Sequence, residues 1–125
     1  MNLVLDAGVF IALENGDATT RARFAAARAR GIGLVTTSPI VAQVWRDGRR
    51  QAMLARFLAA TRIEAPDEPA ARRAGELVGK AKTSDVVDAL LVGMARDGDT
   101  ILTSDPHDLT RLVAVSRVRA TIVRV

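Results

Sequence analysis

The chain has 125 residues, 49% of them hydrophobic and 26% charged, with a formal net charge of +4. That is the length of one domain with one core, expected over residues 1–125, and the composition is that of a globular chain, not a disordered one. The absence of cysteine excludes disulfides and thiolate metal sites, and no apolar run approaches a membrane span or a signal core, so a soluble, cytoplasmic protein with no membrane partner is expected.

Leu3-Val4-Leu5 is short and continuously apolar, as in a strand of a parallel sheet buried on both faces, and Asp6 lies at its carboxyl end. Ala7 to Leu13 turns into a short helix that stops near Asn15-Gly16. Ala18 to Arg30, rich in alanine and arginine around Phe24, predicts a surface helix ended by Gly31. Gly33 to Thr36 reads as a second strand. Pro39 then opens a helix carrying Ile40, Val41, Val44 and Trp45, interrupted by Arg46-Asp47-Gly48.

Met53, Leu54, Phe57 and Leu58 are helically spaced and predict an amphipathic helix from Arg49 to Thr61. Arg62 to Ala65 is a short third strand, and Pro69 to Ala81 a helix. Ser84 is placed to cap a central helix built on Val86, Val87, Leu90, Leu91 and Met94. Thr100 to Thr103 predicts a buried strand, Pro106 to about Val115 a helix, and Ala120 to Val125 a last strand. Strands alternating with helices predict a parallel α/β sheet.

The aspartates carry the chemistry. Each has a structural explanation by itself: Asp6 and Asp105 as helix caps, Asp85 and Asp108 as first-turn acids that favour the helix dipole. Jointly they read differently. In an open α/β sheet the carboxyl ends of the strands lie along one edge, where ligands bind, and Asp6 and Asp105 both follow strands. Asp88 is expected a full turn inside its helix among Val87, Ala89, Leu90 and Leu91, where an acid needs a partner or a metal ion. Carboxylates without cysteine, and with His107 as the only histidine, describe an oxygen-rich site suited to magnesium or manganese. Such ions are held by a few carboxylates together with water and substrate phosphate, which anticipates a phosphodiester.

The sequence resembles PIN-domain proteins of the VapC toxin type. The matching pieces are Leu3-Val4-Leu5-Asp6-Ala7, Ser38-Pro39-Ile40-Val41-Ala42-Gln43-Val44, Asp88-Ala89-Leu90-Leu91 and Leu102-Thr103-Ser104-Asp105, in the family's order and spacing along the whole chain. The resemblance implies a single α/β/α sandwich with a parallel sheet flanked by helices. It implies a magnesium-dependent endoribonuclease, with manganese as the other candidate ion, that forms a homodimer and is inhibited by a cognate antitoxin protein. By position Asp6, Asp88 and Asp105 match the family's first, third and fourth acids, and Asp108 an additional acid behind the fourth. Those three are expected to be catalytic, and all four to hold the metal.

The departure is at the second acid. Gln43 stands where the family usually has glutamate, keeping an oxygen acceptor but losing the charge. Gln43 and Asp85 are placed behind the acids that hold the ion, and Glu14 is weighed as a substitute for the missing acid against a surface role. Two readings follow. One is an active ribonuclease; the other is a catalytically impaired module that binds RNA or a protein partner. A phospho-accepting domain built on Asp6 explains fewer of the acids. His107 is weighed as a general base against an exposed first-turn residue, and Trp45 as a stacking platform against core or interface packing. Sixteen of the eighteen basic residues are arginine, and the groups Arg21/Arg28, Arg23/Arg30 and Arg46/Arg49/Arg50 either track phosphates or form a solvated surface.

Overall fold

The computed structural model describes residues 1–125. The chain forms β1 (Asn2–Leu5), α1 (Ala7–Glu14), α2 (Ala18–Ala29), β2 (Gly33–Thr37), α3 (Ser38–Val44), α4 (Ala52–Ala59), β3 (Arg62–Glu64), α5 (Glu68–Ala81), α6 (Val86–Met94), β4 (Thr100–Thr103), α7 (Pro106–Ser116) and β5 (Thr121–Arg124). All pairings in the five-stranded sheet are parallel, in the order β3-β2-β1-β4-β5. The chain steps outward from β1 to β3 on one side, then returns to add β4 and β5 on the other. Right-handed crossovers therefore place α1 to α4 on one face and α5 to α7 on the opposite face. The helix packing agrees, with α1 against α2, α3 and α4, and α5 against α6 and α7.

Between β1 and β4 the strand order reverses. At such a switch point the two following connections leave on opposite faces, which opens a crevice at the carboxyl ends of the strands. The inner strands are buried as their composition requires: Val4, Leu5, Ile101 and Leu102 are almost fully enclosed, with Phe10, Leu13, Ile40 and Leu54 filling the α1 face and Leu91, Leu109 and Leu112 the other. No helix is long and apolar enough to cross a membrane.

Several boundaries differ from the sequence reading. α4 begins at Ala52, not Arg49, because residues 47–50 form a turn in which the Asp47 carboxylate accepts from the Arg49 N–H and its carbonyl from the Arg50 N–H. The cap of α6 is Asp85, not Ser84: its Oδ1 accepts from the Asp88 N–H at 3.0 Å. The last strand begins at Thr121, one residue later than expected. Lys82 and Arg117 end α5 and α7 in the left-handed region, at φ 54° and 62°, so these two stops carry no glycine to mark them.

Gln51 organises the turn before α4. It is buried, its Oε1 accepts from the N–H groups of Arg46 and Asp47, and its amide nitrogen donates to the Val44 carbonyl and to Glu14. Gln51→Leu keeps the volume but leaves buried backbone groups unpaired, and should lower stability by about 2 kcal/mol. A urea midpoint that falls at unchanged m-value is the expected readout.

Candidate active site

Asp6 continues the β1–β4 ladder by donating its N–H to the Leu102 carbonyl at 3.0 Å. Its carboxylate is buried, with 8% of the residue exposed, and both oxygens are engaged: Oδ1 accepts from the Ala7 N–H at 2.8 Å and Oδ2 from the Thr103 hydroxyl at 2.7 Å. Asp6 is therefore the cap of α1 and also an acid presented at the switch point. The Thr103 hydroxyl in turn accepts from the Asp105 N–H at 3.0 Å, which ties the turn after β4 to Asp6. Thr103 is thus a direct partner of the candidate acid Asp6, a role the sequence does not mark. Its signal was weak, a threonine closing a buried strand just before the Ser104-Asp105 turn.

Gly8 explains how α1 and that turn approach so closely. A Cβ built on Gly8 would clash with the Ser104 hydroxyl and lie 2.6 Å from the Ser104 Cβ. Gly8→Ala should therefore cost about 2 kcal/mol through overpacking. Ser104→Gly in the same chain should restore most of the loss, since the two side chains then no longer compete, and thermal melts of both single variants and the double variant measure this coupling.

Register places the rest. Thr37 pairs with Glu64 and Thr103 with Arg124, and extending the β1–β2 register from Val4 and Val35 sets Asp6 beside Thr37. Partners in a parallel ladder share a face, so Glu64, Thr37, Asp6 and Thr103 form a row across the sheet end on the side covered by α5 and α6.

From that side α6 brings Asp88. The sequence reading put Asp88 a full turn inside its helix; it lies in the first turn, because the cap is Asp85. It is nevertheless half-buried, and its acidity is strongly perturbed. Burial pushes the Asp88 carboxyl up to about 7, and the negative charges of Asp6, Asp85 and Asp108 and a hydrogen bond with Asp85 add to the shift. Residues from β1, the start of α6 and the start of α7 thus converge on one carboxyl group. Asp105, also expected here, is exposed, makes no capping bond and is not among the groups acting on Asp88. Its predicted role as the cap of α7 is not seen.

No three acidic or histidine side chains stand together as a closed metal cage. The donor set is nonetheless entirely carboxylate at its centre, and ions such as magnesium are commonly bound through one or two carboxylates with water completing the shell. Asp6 and Asp88 meet that requirement in chemistry.

The remaining candidates are more dispersed. Gln43 is exposed on α3. Glu14 ends α1, about 12 Å along the helix from Asp6 at 1.5 Å per residue, and its carboxylate accepts from Gln51. His107 is exposed in the first turn of α7. Trp45 follows α3 and is 38% exposed. Several arginines have structural tasks: Arg21 donates to the Leu13 carbonyl, Arg23 to that of Arg124, and Arg46 to those of Ala42 and Trp45.

A five-stranded parallel sheet in this order, flanked by helices on both faces and carrying acids at its switch point, is a PIN-like α/β/α fold. The chain superposes with a TM-score of 0.71 on a chain of the crystal structure of VapBC2 from Rickettsia felis bound to a DNA fragment from their promoter, covering 100% of this chain and 99% of that one at 12% sequence identity. No family model matches the sequence, and no curated protein matches it. The likeness is one of fold.

Proposed function

We propose that the chain is a magnesium-dependent endoribonuclease of the PIN-domain, toxin–antitoxin kind. The observation that carries this reading is the convergence of Asp6, Asp85 and Asp108 on a half-buried Asp88, with no salt bridge from the chain to any of them. Acids that repel one another in a crevice at a switch point favour a cation there, and a divalent cation favours phosphate.

Asp6 and Asp88 would hold the ion, with Asp108, whose charge also acts on Asp88, as a further oxygen donor. Bound there, a magnesium ion would stabilise the negative charge that develops on the phosphate oxygens and would lower the pKa of a bound water. The chain's own contribution is orientation. Thr103 and the Ala7 N–H fix the Asp6 carboxylate, while the Asp85 cap fixes the first turn that carries Asp88. Without an ion, Asp88 holds a proton up to about pH 7.

The expected partners are RNA and an antitoxin protein. The apolar side chains exposed on the α1, α3 and α4 side, Ile11, Trp45 and Met53, support a protein partner, whether antitoxin or a second copy. The match in fold to a chain of a VapBC2 complex supports the same assignment. The competing reading, an impaired module that binds without cutting, draws on Gln43 and on the absence of a closed three-acid cage.

Cleavage of total RNA separates them. Wild-type protein should cut RNA in magnesium and not in EDTA, and Asp6→Asn, whose single amide oxygen can still accept from the Ala7 N–H while its amide nitrogen donates to the Thr103 hydroxyl oxygen, should not cut in either. Equal cleavage by the two proteins, or none by wild type at millimolar magnesium, rejects the ribonuclease reading.

A further inference from the structure

Beside the acids, on the same face of the sheet, lies a cavity of about 290 Å³ between the ends of β2 and β3 and the helices α5 and α6. Its wall includes Thr37, whose side chain is 1% exposed and whose hydroxyl has no hydrogen-bond partner. It is the one buried side-chain polar atom of the chain left without a partner. A threonine before a helix commonly turns its oxygen to the N–H of the second or third helical residue, but here the second is Pro39, which has none, and Thr37 makes no capping bond. The hydroxyl is thus left enclosed and unpaired in a residue of the cavity wall, and buried hydroxyls are seldom left unpaired without a reason.

The rest of the lining is divided. Leu90, Met94, Ala65 and Pro66 give an apolar wall, and charged groups stand at the mouth. Of these, Glu64 is paired with Arg62 at 3.3 Å and Asp67 caps α5 by accepting from the Ala70 N–H at 3.0 Å. Arg73 and Arg96 form no ion pair. The acids already have partners and the guanidinium groups do not, so the mouth favours an anion. A flat apolar body with polar edges and one attached phosphate satisfies each of these features. A cavity at the lower end of the ligand-site range, roughly 300–1,000 Å³, suits one such unit and not several.

Thr37 sits one strand from Asp6, a spacing of about 4.8 Å. We propose that this cavity is a nucleotide subsite: it takes the base of one unpaired nucleotide next to the scissile phosphate, with Thr37 reading a polar edge of the base and Arg73 and Arg96 holding the adjoining phosphate. The choice of a nucleotide rests on the ribonuclease reading, whereas the cavity and its unpartnered hydroxyl do not. The subsite gives the enzyme a preference for one base beside the cut, because the hydroxyl is a single fixed polar group on an otherwise apolar wall.

The test is calorimetric titration of the four nucleoside 5′-monophosphates, the corresponding nucleosides and inorganic phosphate into the full chain in EDTA, so that no metal-dependent step intervenes. Saturable binding of at least one monophosphate is expected, tighter than its nucleoside and tighter than phosphate. Arg73→Ala with Arg96→Ala should weaken it at least tenfold. Thr37→Val should change the ranking of the four bases by at least threefold with an unchanged or raised melting temperature, and Asp6→Asn should leave the binding intact. Absence of saturable binding, phosphate binding as tight as any nucleotide, or unchanged affinities and ranking in the folded variants overturns the proposal. Nucleotide binding without RNA cleavage in magnesium keeps the subsite and removes the ribonuclease reading; cleavage without nucleotide binding does the reverse.

Discussion

Asp88→Asn should abolish magnesium-dependent RNA cleavage, by more than a hundredfold, and at the same time make the metal-free protein more stable at pH 8. Both effects come from one property of the wild-type side chain. Asp88 is held half-buried beside Asp6, Asp85 and Asp108, and its carboxyl is raised from 3.8 to about 7. Because the folded-state value lies above the unfolded one, the fold keeps a proton that the unfolded chain gives up. Stability therefore falls as pH rises from about 4 to about 7, and the full penalty is present above that window.

A shift of this size in a fully enclosed group would correspond to about 4 kcal/mol at 1.36 kcal/mol per unit. Asp88 is partly open to solvent, whose screening reduces the figure to about 1–2 kcal/mol. Asparagine removes the charge and with it the penalty, so the variant should melt about 4–8 °C higher than wild type at pH 8 and no higher at pH 4. Magnesium should raise the midpoint of wild type and not of the variant. Thermal melts at both pH values, with and without magnesium, check each part. A variant less stable than wild type at pH 8 would make Asp88 a structural acid.

Gln43→Glu should tighten magnesium binding between tenfold and a hundredfold, about 1.4–2.8 kcal/mol, and raise cleavage at low magnesium in proportion. An amide offers the ion a dipole where a carboxylate offers a full charge, so a glutamate reaching the crevice changes the field at the site directly. Gln43 is exposed on the short helix that follows β2. Unchanged magnesium affinity together with unchanged cleavage would show that this position faces away from the acids, and would remove it from the site whatever the role of Asp6 and Asp88.

Local sequence carried the element types well. Short apolar runs such as Leu3-Val4-Leu5 and Ile101-Leu102, alternating with helically spaced stretches, were enough for a parallel α/β sheet, and of the aspartates that follow the two central strands Asp6 is buried at the sheet end while Asp105 is exposed. Helix edges were harder to read. Whether Ser84 or Asp85 caps α6 depends on which oxygen reaches an N–H three residues on, and Arg49 joined a turn instead of a helix because Asp47 and Gln51 took up the backbone groups there.

What the sequence by itself determined is the chemistry of the donors: carboxylates, no thiols, and threonines at strand ends. Only the tertiary structure decided which of them meet. Parallel pairing of strands nearly a hundred residues apart set Thr103 on Asp6, a contact between positions 97 residues apart that no local pattern encodes. The packing of α6 on the sheet brought Asp88 to the same place and left Asp105 exposed, and the register of β2 enclosed the Thr37 hydroxyl beside a cavity with no helix-cap bond. Residue identity fixes what a side chain can bind. Its neighbours, and hence its acidity and its access to a ligand, are set by long-range register and burial, which are properties of the folded chain as a whole.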